Sequence, residues 1–512
     1  MVDPSLLPLI QSMQRPEFYP HPVAETIRLV QTHVSWVLLT GDYAYKVKKP
    51  VNFGFLDYSS LEKRHHFCQE ELRLNRRTAP DLYLEVVAIA QQGDDYTLGE
   101  PAVEYAVKMR QFPQGCLLSQ LFERGELTEA LMRRLAQVVA DFHQQAETSD
   151  YIRSFGETSQ IRQSIDENYD QTVDFIGGPQ TQEQFDGTQA FSDRFFIEQQ
   201  DLLQQRRYQG WIRACHGDLH LNNICLWDDR LVLFDCIEFN EPFRYVDVMF
   251  DIAYIVMDMW VEGRQDLSAA FLSEYVERTG DWQGLAVLPL YVSRQSYVRA
   301  KVTSFLLGDP SVDEATKQQA SQKAAKYYRL AYDYVKSRAG RLVIMAGLSG
   351  SGKSTVAREV TRQLGAIQIR SDAVRKHLAG VPLEERGDDS LYTPEMSQKT
   401  YDRLLELGLE LTQMGYTVVL DAKYDRQIQR QAVLDRAGKQ GVPVDILHCQ
   451  APLPVLKQRL QKRQGDIADA TVAVLERQVM EEFTGAERSR LTAIDTTQPL
   501  TSQVAAIVGD KD

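Results

Sequence analysis

Gly347-Leu-Ser-Gly-Ser-Gly-Lys-Ser-Thr355 is the stretch that decides the fold of the C-terminal part of the chain. It has the spacing G-x-x-x-x-G-K-[ST], which is typical of a loop that binds nucleotide phosphates. The glycines are needed because backbone N–H groups must point inward around the phosphates, where side chains would block the approach. Lys353 is expected to reach the β- and γ-phosphates, and the Ser354 hydroxyl is expected to bind Mg²⁺.

The sequence on either side of this loop supports the same interpretation. The apolar run 341–346 predicts a buried strand before the loop, and 355–364 has the periodicity of a helix after it. Strand, loop and helix in this order are the setting that the motif requires, so the sequence predicts an ATP site. Its predicted phosphate-binding residues are Gly347, Ser349, Gly350, Ser351, Gly352, Lys353, Ser354 and Thr355.

The remaining C-terminal sequence alternates between strand-like and helix-like runs. The strand candidates are 341–346, 367–370, 416–420, 443–448 and 491–495. This alternation predicts a doubly wound parallel sheet. Asp421 ends the third of these strands, where an acidic residue is expected to hold Mg²⁺. An ordinary strand-terminal aspartate is the alternative interpretation of Asp421.

Length and composition set broad limits on the protein. A chain of 512 residues is long enough for two or more domains. The formal net charge of −14 argues against a general nucleic-acid-binding surface. The six cysteines form no C-x-x-C pair, which favours reduced thiols. The first residues lack a secretion signal and no stretch is apolar enough to cross a membrane, so we expect a cytoplasmic protein without a membrane partner.

The N-terminal sequence predicts a small antiparallel sheet with a helix packed near it. An amphipathic helix is predicted over 23–32, followed by a hairpin formed by 35–40 and 43–49. Lys46 and Lys48 alternate with apolar residues and therefore share one strand face. The next predicted helix, 61–77, carries Glu70 and Glu71.

A second group of polar residues lies in His216-Gly-Asp-Leu-His-Leu-Asn-Asn-Ile224. Asp218 precedes Asn223 by five positions, the spacing of kinase catalytic loops. Asp235 ends an apolar strand about a dozen residues later, where a further Mg²⁺ ligand is expected. Phosphoryl transfer requires one carboxylate at the acceptor hydroxyl and oxygen ligands that hold Mg²⁺ against the phosphates.

Residues 35 to about 305 resemble the aminoglycoside phosphotransferase and protein-kinase-like superfamily, whose signature H-G-D-x-H-x-x-N is present at 216–223. The resemblance implies a bilobal kinase-like fold with Asp218 as catalytic base. It further implies Asn223 and Asp235 as Mg²⁺ ligands and Lys46 as phosphate lysine with Glu71 as its partner. Spacing alone leaves Lys48 and Glu70 as alternatives to Lys46 and Glu71.

This N-terminal sequence departs from protein kinases in two places. It lacks a glycine-rich loop before Lys46, and Asp235 is followed by Cys-Ile-Glu-Phe where protein kinases have Phe-Gly. Both departures weigh against protein substrates and favour a small-molecule acceptor.

The C-terminal sequence resembles P-loop kinases such as gluconate kinase, polynucleotide kinase and zeta-toxin kinases, a group often labelled as AAA family ATPases. The resemblance rests on Asp372 and Arg375, a D-x-x-R element after the second strand, and on the lid-like run 457–466. It implies that Asp372 accepts the proton of the acceptor hydroxyl and that Arg375 contacts a phosphate or the acceptor. Arg459 and Arg463 are expected to close over the transferring phosphoryl group. A helix cap is the alternative role for Asp372.

Together these features predict an α/β plus α+β chain with two domains, a kinase-like domain over 1–335 and a P-loop kinase domain over 336–512. The leading hypothesis is a bifunctional kinase that transfers phosphate from Mg-ATP to a small hydroxylated molecule, with Asp218, Asp372 and Lys353 as catalytic residues. One alternative is a regulatory protein in which only the P-loop domain is active. Another is a kinase of nucleic-acid 5′ ends, against which the acidic composition argues.

Overall fold

The computed structural model describes residues 6–462, 467 and 471–509. Contacts between residues divide the chain into two compact units. Unit 1 holds the chain up to Leu127 together with Gln145–Ser164 and Glu198–Ile255. Unit 2 holds Thr128–Gln144, Ile165–Ile197 and the chain from Val256 onward. Unit 2 therefore includes helices from sequence that precedes the P-loop as well as the P-loop itself.

Within the described residues the chain forms fifteen strands and twenty-one α-helices. The strands are β1 (Arg28–Gln31), β2 (Ser35–Leu39), β3 (Tyr43–Lys48), β4 (Tyr83–Gln92), β5 (Asp95–Leu98), β6 (Ala102–Arg110), β7 (Ile212–Ala214), β8 (Ile224–Trp227), β9 (Arg230–Leu233), β10 (Tyr245–Asp247), β11 (Arg341–Ala346), β12 (Ile367–Arg370), β13 (Thr417–Asp421), β14 (Val444–Gln450) and β15 (Leu491–Asp495).

The helices are α1 (Leu7–Met13), α2 (Leu61–Asn75), α3 (Leu118–Glu123), α4 (Glu129–Gln145), α5 (Asp150–Ser154), α6 (Thr158–Asp170), α7 (Gln182–Glu198), α8 (Gln200–Tyr208), α9 (Glu241–Arg244), α10 (Val248–Val261), α11 (Gln265–Thr279), α12 (Leu288–Phe305), α13 (Glu314–Val335), α14 (Lys353–Leu364), α15 (Ser371–Ala379), α16 (Pro394–Gln413), α17 (Gln427–Lys439), α18 (Leu453–Lys462), α19 (Val472–Leu475), α20 (Gly485–Arg488) and α21 (Leu500–Gly509).

Unit 1 is organised around a six-stranded antiparallel sheet in the order β1-β2-β3-β6-β4-β5. Tyr45 and Val47 of β3 point into an apolar core that α1 also enters. Because side chains alternate along a strand, Lys46 and Lys48 lie on the opposite face of β3, where Glu71 of α2 contacts both. The sheet thus presents two lysines to one helix.

The predicted helix over 23–32 is wrong, because this segment contains β1. Residues Arg28–Gln31 pair with β2 in antiparallel register, and the segment's Ile27 enters the apolar core. The five apolar positions among these ten residues do not distinguish a short edge strand from an amphipathic helix, and pairing with β2 decides for the strand.

The P-loop part of unit 2 is a five-stranded, fully parallel sheet in the order β12-β13-β11-β14-β15. Its strands agree with the five predicted ones to within two residues. Val343 and Met345 of β11 pack with α14, α21 and their neighbours. Leu342 lies on the other face against Gly408 of α16, where a side chain at Gly408 would meet Leu342 and Leu420 at 3.0 Å. Helices therefore cover both faces of the sheet.

Two further findings bear on the composition of the chain. All six cysteines are free thiols, and five of them are buried. In the part of the chain that the structure describes, no helix combines the length and apolar character needed to span a membrane.

Candidate nucleotide and phosphotransfer sites

Unit 1 contains a cavity of about 380 Å³ that brings together residues distant in sequence. Lys46 of β3, Asp218 of the loop after β7 and Asp235 after β9 all line it. Apolar side chains, including Leu82 and Met109, form another part of its wall. A cavity of this size with apolar walls and a few converging charges is typical of a ligand site.

The loop that carries Asp218 is held by α10. The Asp251 carboxylate accepts the backbone N–H groups of His216 at 2.9 Å and of Gly217 at 2.8 Å. Gly217 has a φ of +87°, and a Cβ there would lie 2.7 Å from the carbonyl oxygen of Phe243. This backbone conformation therefore requires glycine. It also sets the backbone direction at the next residue, Asp218.

The Asp218 side chain is oriented by two neighbours. Asn223 Nδ2 donates to the Asp218 backbone oxygen at 3.0 Å and to its Oδ2 at 3.2 Å. His220 Nε2 lies 3.3 Å from the same Oδ2. His220 Nδ1 accepts the N–H of Asn222, so the neutral imidazole carries its proton on Nε2, facing Asp218. Because Asn223 donates through its nitrogen, its amide oxygen is the atom left to bind a metal.

Lys46 joins Asp235 to α2. Its Nζ lies 2.6 Å from Asp235 Oδ1 and 2.8 Å from Glu71 Oε1. Burial lowers the pKa of Lys46, but the carboxylates of Asp235 and Glu71 outweigh burial and hold that pKa well above its ordinary value. Glu70, the sequence alternative to Glu71, pairs instead with Arg73 at 2.7 Å on an exposed part of α2.

Lys48 forms a second, more deeply buried ion pair. Its Nζ contacts Glu71 Oε2 at 2.7 Å and also Glu238, whose carboxylate accepts the hydroxyl of Tyr58. Burial raises the pKa of Glu71, but the two ammonium groups lower it below its ordinary value. Two lysines of β3 therefore converge on one glutamate, and both also reach the segment 235–238. Sequence analysis missed Glu238, although it noted the unusual residues after Asp235.

Asp235 has the features of a functional strained residue. Its φ is +62°, in the left-handed region that a non-glycine residue seldom adopts. Burial raises the pKa of Asp235, but Lys46 outweighs burial and lowers it, so the group is a carboxylate at neutral pH. Carboxylate and amide oxygens suit Mg²⁺. The donor set of Asp235 and Asn223 thus fits a magnesium ion.

The P-loop has the backbone that phosphate binding requires. Gly347, Gly350 and Gly352 have φ values of +143°, +79° and +91°. A Cβ at Gly347 would lie 2.6 Å from a backbone oxygen of Cys449, and one at Gly350 would lie 2.8 Å from that of Leu456. No described side chain caps α14, so its first N–H groups can bind an anion.

Two side chains of the P-loop also fit a phosphate ligand. Ser351 Oγ is buried and makes no hydrogen bond within the described chain. Lys353 Nζ donates to the carbonyl of Leu348 at 2.9 Å, which folds the ammonium over the loop. Burial lowers the pKa of Lys353, and Asp421 opposes that effect. Ser354 and Thr355 follow in the first turn of α14.

The predicted acidic residues lie near Lys353. Asp421 ends β13, next to β11, and its Oδ2 accepts Gln368 Nε2 at 2.9 Å. Asp372 lies in the first turn of α15 and is 2.9 Å from Arg375, as the three-residue spacing predicted. Asp421 and Asp372 both act electrostatically on Lys353. Sequence analysis missed Gln368, for which no motif gave a signal.

Two side chains from the sequence after β14, Arg459 of the lid-like run and Gln478 beyond it, contact the P-loop. Arg459 donates to the side chain and backbone oxygens of Thr496 at 2.8 and 2.7 Å and approaches the carbonyl of Gly350 at 3.4 Å. Gln478, which sequence analysis missed, bonds both the N–H of Ser349 at 2.9 Å and its hydroxyl at 3.0 Å. Arg463, the second predicted lid arginine, lies outside the described residues.

Comparison with known proteins agrees with this geometry. Residues 68–288 match the family model described as Phosphotransferase enzyme family, and residues 342–482 match the one described as AAA domain. The chain joins a phosphotransferase-family domain to a P-loop kinase domain. This confirms the predicted resemblance and fold class, and two kinase-type domains support phosphoryl transfer from ATP.

Similar proteins match either most of the chain or one part of it. An uncharacterized protein of Mycobacterium tuberculosis is 29% identical over 462 residues, 89% of this chain and 90% of the relative. The thermoresistant gluconokinase of Escherichia coli is 24% identical over 176 residues, 33% of this chain and 91% of the relative. A crystal structure of a choline/ethanolamine kinase family protein from Mesorhizobium loti is 10% identical with a TM-score of 0.39, covering 64% of this chain and 99% of that one.

Proposed function

We propose that this protein is a two-site kinase that transfers the γ-phosphate of Mg-ATP to hydroxyl groups of small molecules. The observation that carries the proposal is the contact of Lys46 with both Glu71 and Asp235 in the cavity that Asp218 lines. A phosphate-binding lysine, a metal-binding carboxylate and a base are the groups that this reaction needs together.

In the N-terminal site each residue has a separate task. Asp218 accepts the proton of the acceptor hydroxyl, and Asn223 and His220 keep its carboxylate oriented. Lys46 binds phosphate oxygens, while Asp235 and Asn223 hold Mg²⁺. Mg-ATP supplies the phosphoryl group and the metal charge that neutralises the phosphates.

In the C-terminal site the P-loop glycines and Lys353 bind the phosphates, and Ser354 and Asp421 hold Mg²⁺. Asp372 accepts the acceptor's proton, and Arg375 and Arg459 contact phosphate or acceptor oxygens. The similarity to a gluconokinase is compatible with a polyhydroxylated acceptor at this site.

We further propose that the functional boundary lies between residues 335 and 336. The phosphotransferase match ends at residue 288 and the AAA match begins at 342. Helix α13, Glu314–Val335, lies between the two matched regions and precedes β11. We therefore place the boundary between the two proposed kinase domains at the end of α13.

The experiment that tests the proposal is transfer of γ-labelled phosphate from ATP into a panel of small hydroxylated metabolites. Wild type, Asp218→Ala and Lys353→Ala are compared, with Asp228→Ala and Lys317→Ala as surface controls. We expect each site variant to abolish a different labelled product. If Lys353→Ala removes all transfer while Asp218→Ala changes nothing, the N-terminal site is a binding or regulatory module and the two-site proposal is wrong.

A further inference from the structure

Four phenylalanines form an exposed aromatic patch on unit 1, which we call the phenylalanine rim. Phe55 is its centre, with ring centroids 6.1 Å from Phe53, 6.4 Å from Phe239 and 6.2 Å from Phe243. Phe53, Phe55 and Phe243 are 49%, 52% and 36% exposed. A contiguous exposed apolar patch on a folded protein marks a surface that binds a ligand, another protein or a membrane.

The loop that carries the rim is firmly built. The N–H of Phe53 donates to the carbonyl of Leu56 at 2.9 Å, and Asn240 Nδ2 donates to the carbonyl of Phe55 at 3.0 Å. Leu56 and Tyr58, which follow the exposed tip, are 2% and 1% exposed. The hydrogen-bonded backbone of this loop therefore exposes the rings of Phe53 and Phe55 and buries the side chains of Leu56 and Tyr58.

The rim continues into the cavity of the N-terminal site. Phe239 and Tyr58 line the same cavity as Asp218, and Tyr58 packs edge-on against Phe239. Phe239 also follows Glu238, which is tied to Lys48 and Tyr58. Phe239 therefore belongs both to the cavity wall and to the rim, since its ring centroid lies 6.4 Å from that of Phe55.

The charges beside the rim favour a neutral ligand group. Glu238 is paired with Lys48, and Glu241 contacts both Arg244 at 3.4 Å and the hydroxyl of Tyr151 at 2.6 Å. Both carboxylates are paired with a cationic side chain, which reduces their attraction for a cationic ligand beside the rings. The rings of the rim are therefore best suited to stack against a flat, uncharged ring of the ligand.

We propose that the phenylalanine rim binds a neutral planar ring of the acceptor whose hydroxyl is presented to Asp218. This inference rests on the proposed function of the N-terminal site and adds the chemical class of its acceptor. Phe55 and Phe243 hold the ring, and Phe239 connects the ring to the cavity. The acceptor is thus an aromatic compound with a hydroxylated substituent.

The test compares two glucosides, phenyl β-D-glucoside and cyclohexyl β-D-glucoside, which carry the same sugar and a six-membered ring that is aromatic and planar in one and saturated in the other. Their equilibrium binding to the full-length protein is measured by calorimetric titration, with and without Mg-ADP. The variants are Phe55→Ala, Phe243→Ala and the aromatic replacement Phe55→Tyr. Tyr208→Ala removes a ring that is 74% exposed elsewhere on unit 1 and is the matched control.

We expect wild type to bind the phenyl compound about fivefold or more tightly than the cyclohexyl compound. Phe55→Ala and Phe243→Ala should remove this preference, whereas Phe55→Tyr and Tyr208→Ala should retain it. Equal binding of both probes by wild type, absence of binding, or a preference that survives in both alanine variants would overturn the inference. A variant that changes only the sedimentation of the protein, and not probe binding, would show a protein interface instead.

The same titrations separate this inference from the proposed function. Mg-ADP binding is measured in a full-length Lys353→Ala variant, so that the P-loop does not mask the N-terminal site. Loss of nucleotide binding there, with the ring preference intact, would contradict the kinase function but leave a ring-binding site. Intact nucleotide binding without ring preference would contradict only the inference.

Discussion

Lys46 and Asp235, which are 189 positions apart in the chain, lie with Nζ and Oδ1 separated by 2.6 Å. The Lys46 side chain is largely buried, whereas 45% of the Asp235 side chain is exposed to the cavity. Lys48, two residues on, is nearly inaccessible and reaches Glu238 instead. The two lysines of one strand face therefore have different environments, and their replacement should have different consequences.

Replacing Lys46 with methionine should impair nucleotide binding more than folding. Glu71 keeps Lys48 as its partner, and Asp235 is partly open to solvent. Loss of one charge-assisted contact to phosphate should weaken Mg-ATP binding by about 10- to 100-fold. Titration of the N-terminal site in a Lys353→Ala background measures this change.

Replacing Lys48 with methionine should instead impair folding. Among the described residues it leaves the buried Glu238 carboxylate with the Tyr58 hydroxyl as its remaining side-chain partner, and an uncompensated buried charge costs about 3–5 kcal/mol. Thermal unfolding of Lys48→Met beside Lys46→Met checks the contrast. Equal unfolding temperatures for the two variants would show that Lys48 is not the structural lysine.

Asp235→Asn should raise the Mg²⁺ concentration needed for nucleotide binding at the N-terminal site. Asparagine tolerates the left-handed backbone, so the change removes the charge without adding strain. Asp228→Asn is a matched control, because Asp228 also has a positive φ, of +50°, but lies at the tip of the β8–β9 hairpin. We expect an increase of about tenfold or more for Asp235→Asn and none for Asp228→Asn. An unchanged Mg²⁺ requirement for Asp235→Asn would contradict a role for the Asp235 charge in holding the ion.

Local sequence was sufficient where the fold is built from contiguous elements. The P-loop, its flanking strand and helix, and the position of Asp421 at a strand end follow from short-range patterns, and the structure places them as expected. The same is true of the alternation that puts Lys46 and Lys48 on one face of β3.

Long-range pairing could not be predicted in this way. Spacing does not distinguish Lys46 from Lys48, because positions two apart on a strand point to the same side. The choice depends on where the segment after β9 passes, and it brings Asp235 to Lys46 and Glu238 to Lys48. Gln368 and Gln478 were missed for the same reason, since their partners are 53 and 129 positions away.

Gly350→Ala should weaken ATP binding at the P-loop. A Cβ at Gly350 would press on the backbone of Leu456 at 2.8 Å, so the loop must move away from α18. Gly441→Ala is the control, because Gly441 has a similar φ of +69° but nothing within 4 Å of an added Cβ. Both variants incur about 1–2 kcal/mol for the left-handed backbone. Only Gly350→Ala should bind ATP about tenfold or more weakly, measured in a Lys46→Met background in which nucleotide binding at the N-terminal site is already weakened. Equal ATP affinities of the two variants would show that the close approach of Gly350 to Leu456 does not matter for phosphate binding.

Helix α11 packs along β12, an edge strand of the parallel sheet, and places a buried carboxyl there. Ser273 Oγ accepts the N–H of Gln368 at 3.1 Å, and Glu277 Oε1 lies 3.4 Å from Arg370. Burial raises the pKa of Glu277 to about 7. Arg370 and Arg133 oppose this shift, whereas Glu274 and Asp421 add to it.

Glu277→Gln should therefore change how stability depends on pH. The folded protein holds this proton more tightly than the unfolded chain, whose carboxyl has an ordinary pKa near 4.5. Wild-type stability should fall as pH rises from about 5 through about 7, by at most about 3 kcal/mol, and then level off. The variant cannot ionise at this position and should lack that loss, so it should be more stable than wild type at about pH 8. Unfolding temperatures of the full chain across this range, with the exposed Glu406→Gln as control, measure the difference. A variant less stable than wild type at about pH 8 would mean that the ion pair with Arg370 outweighs the cost of burying the charge.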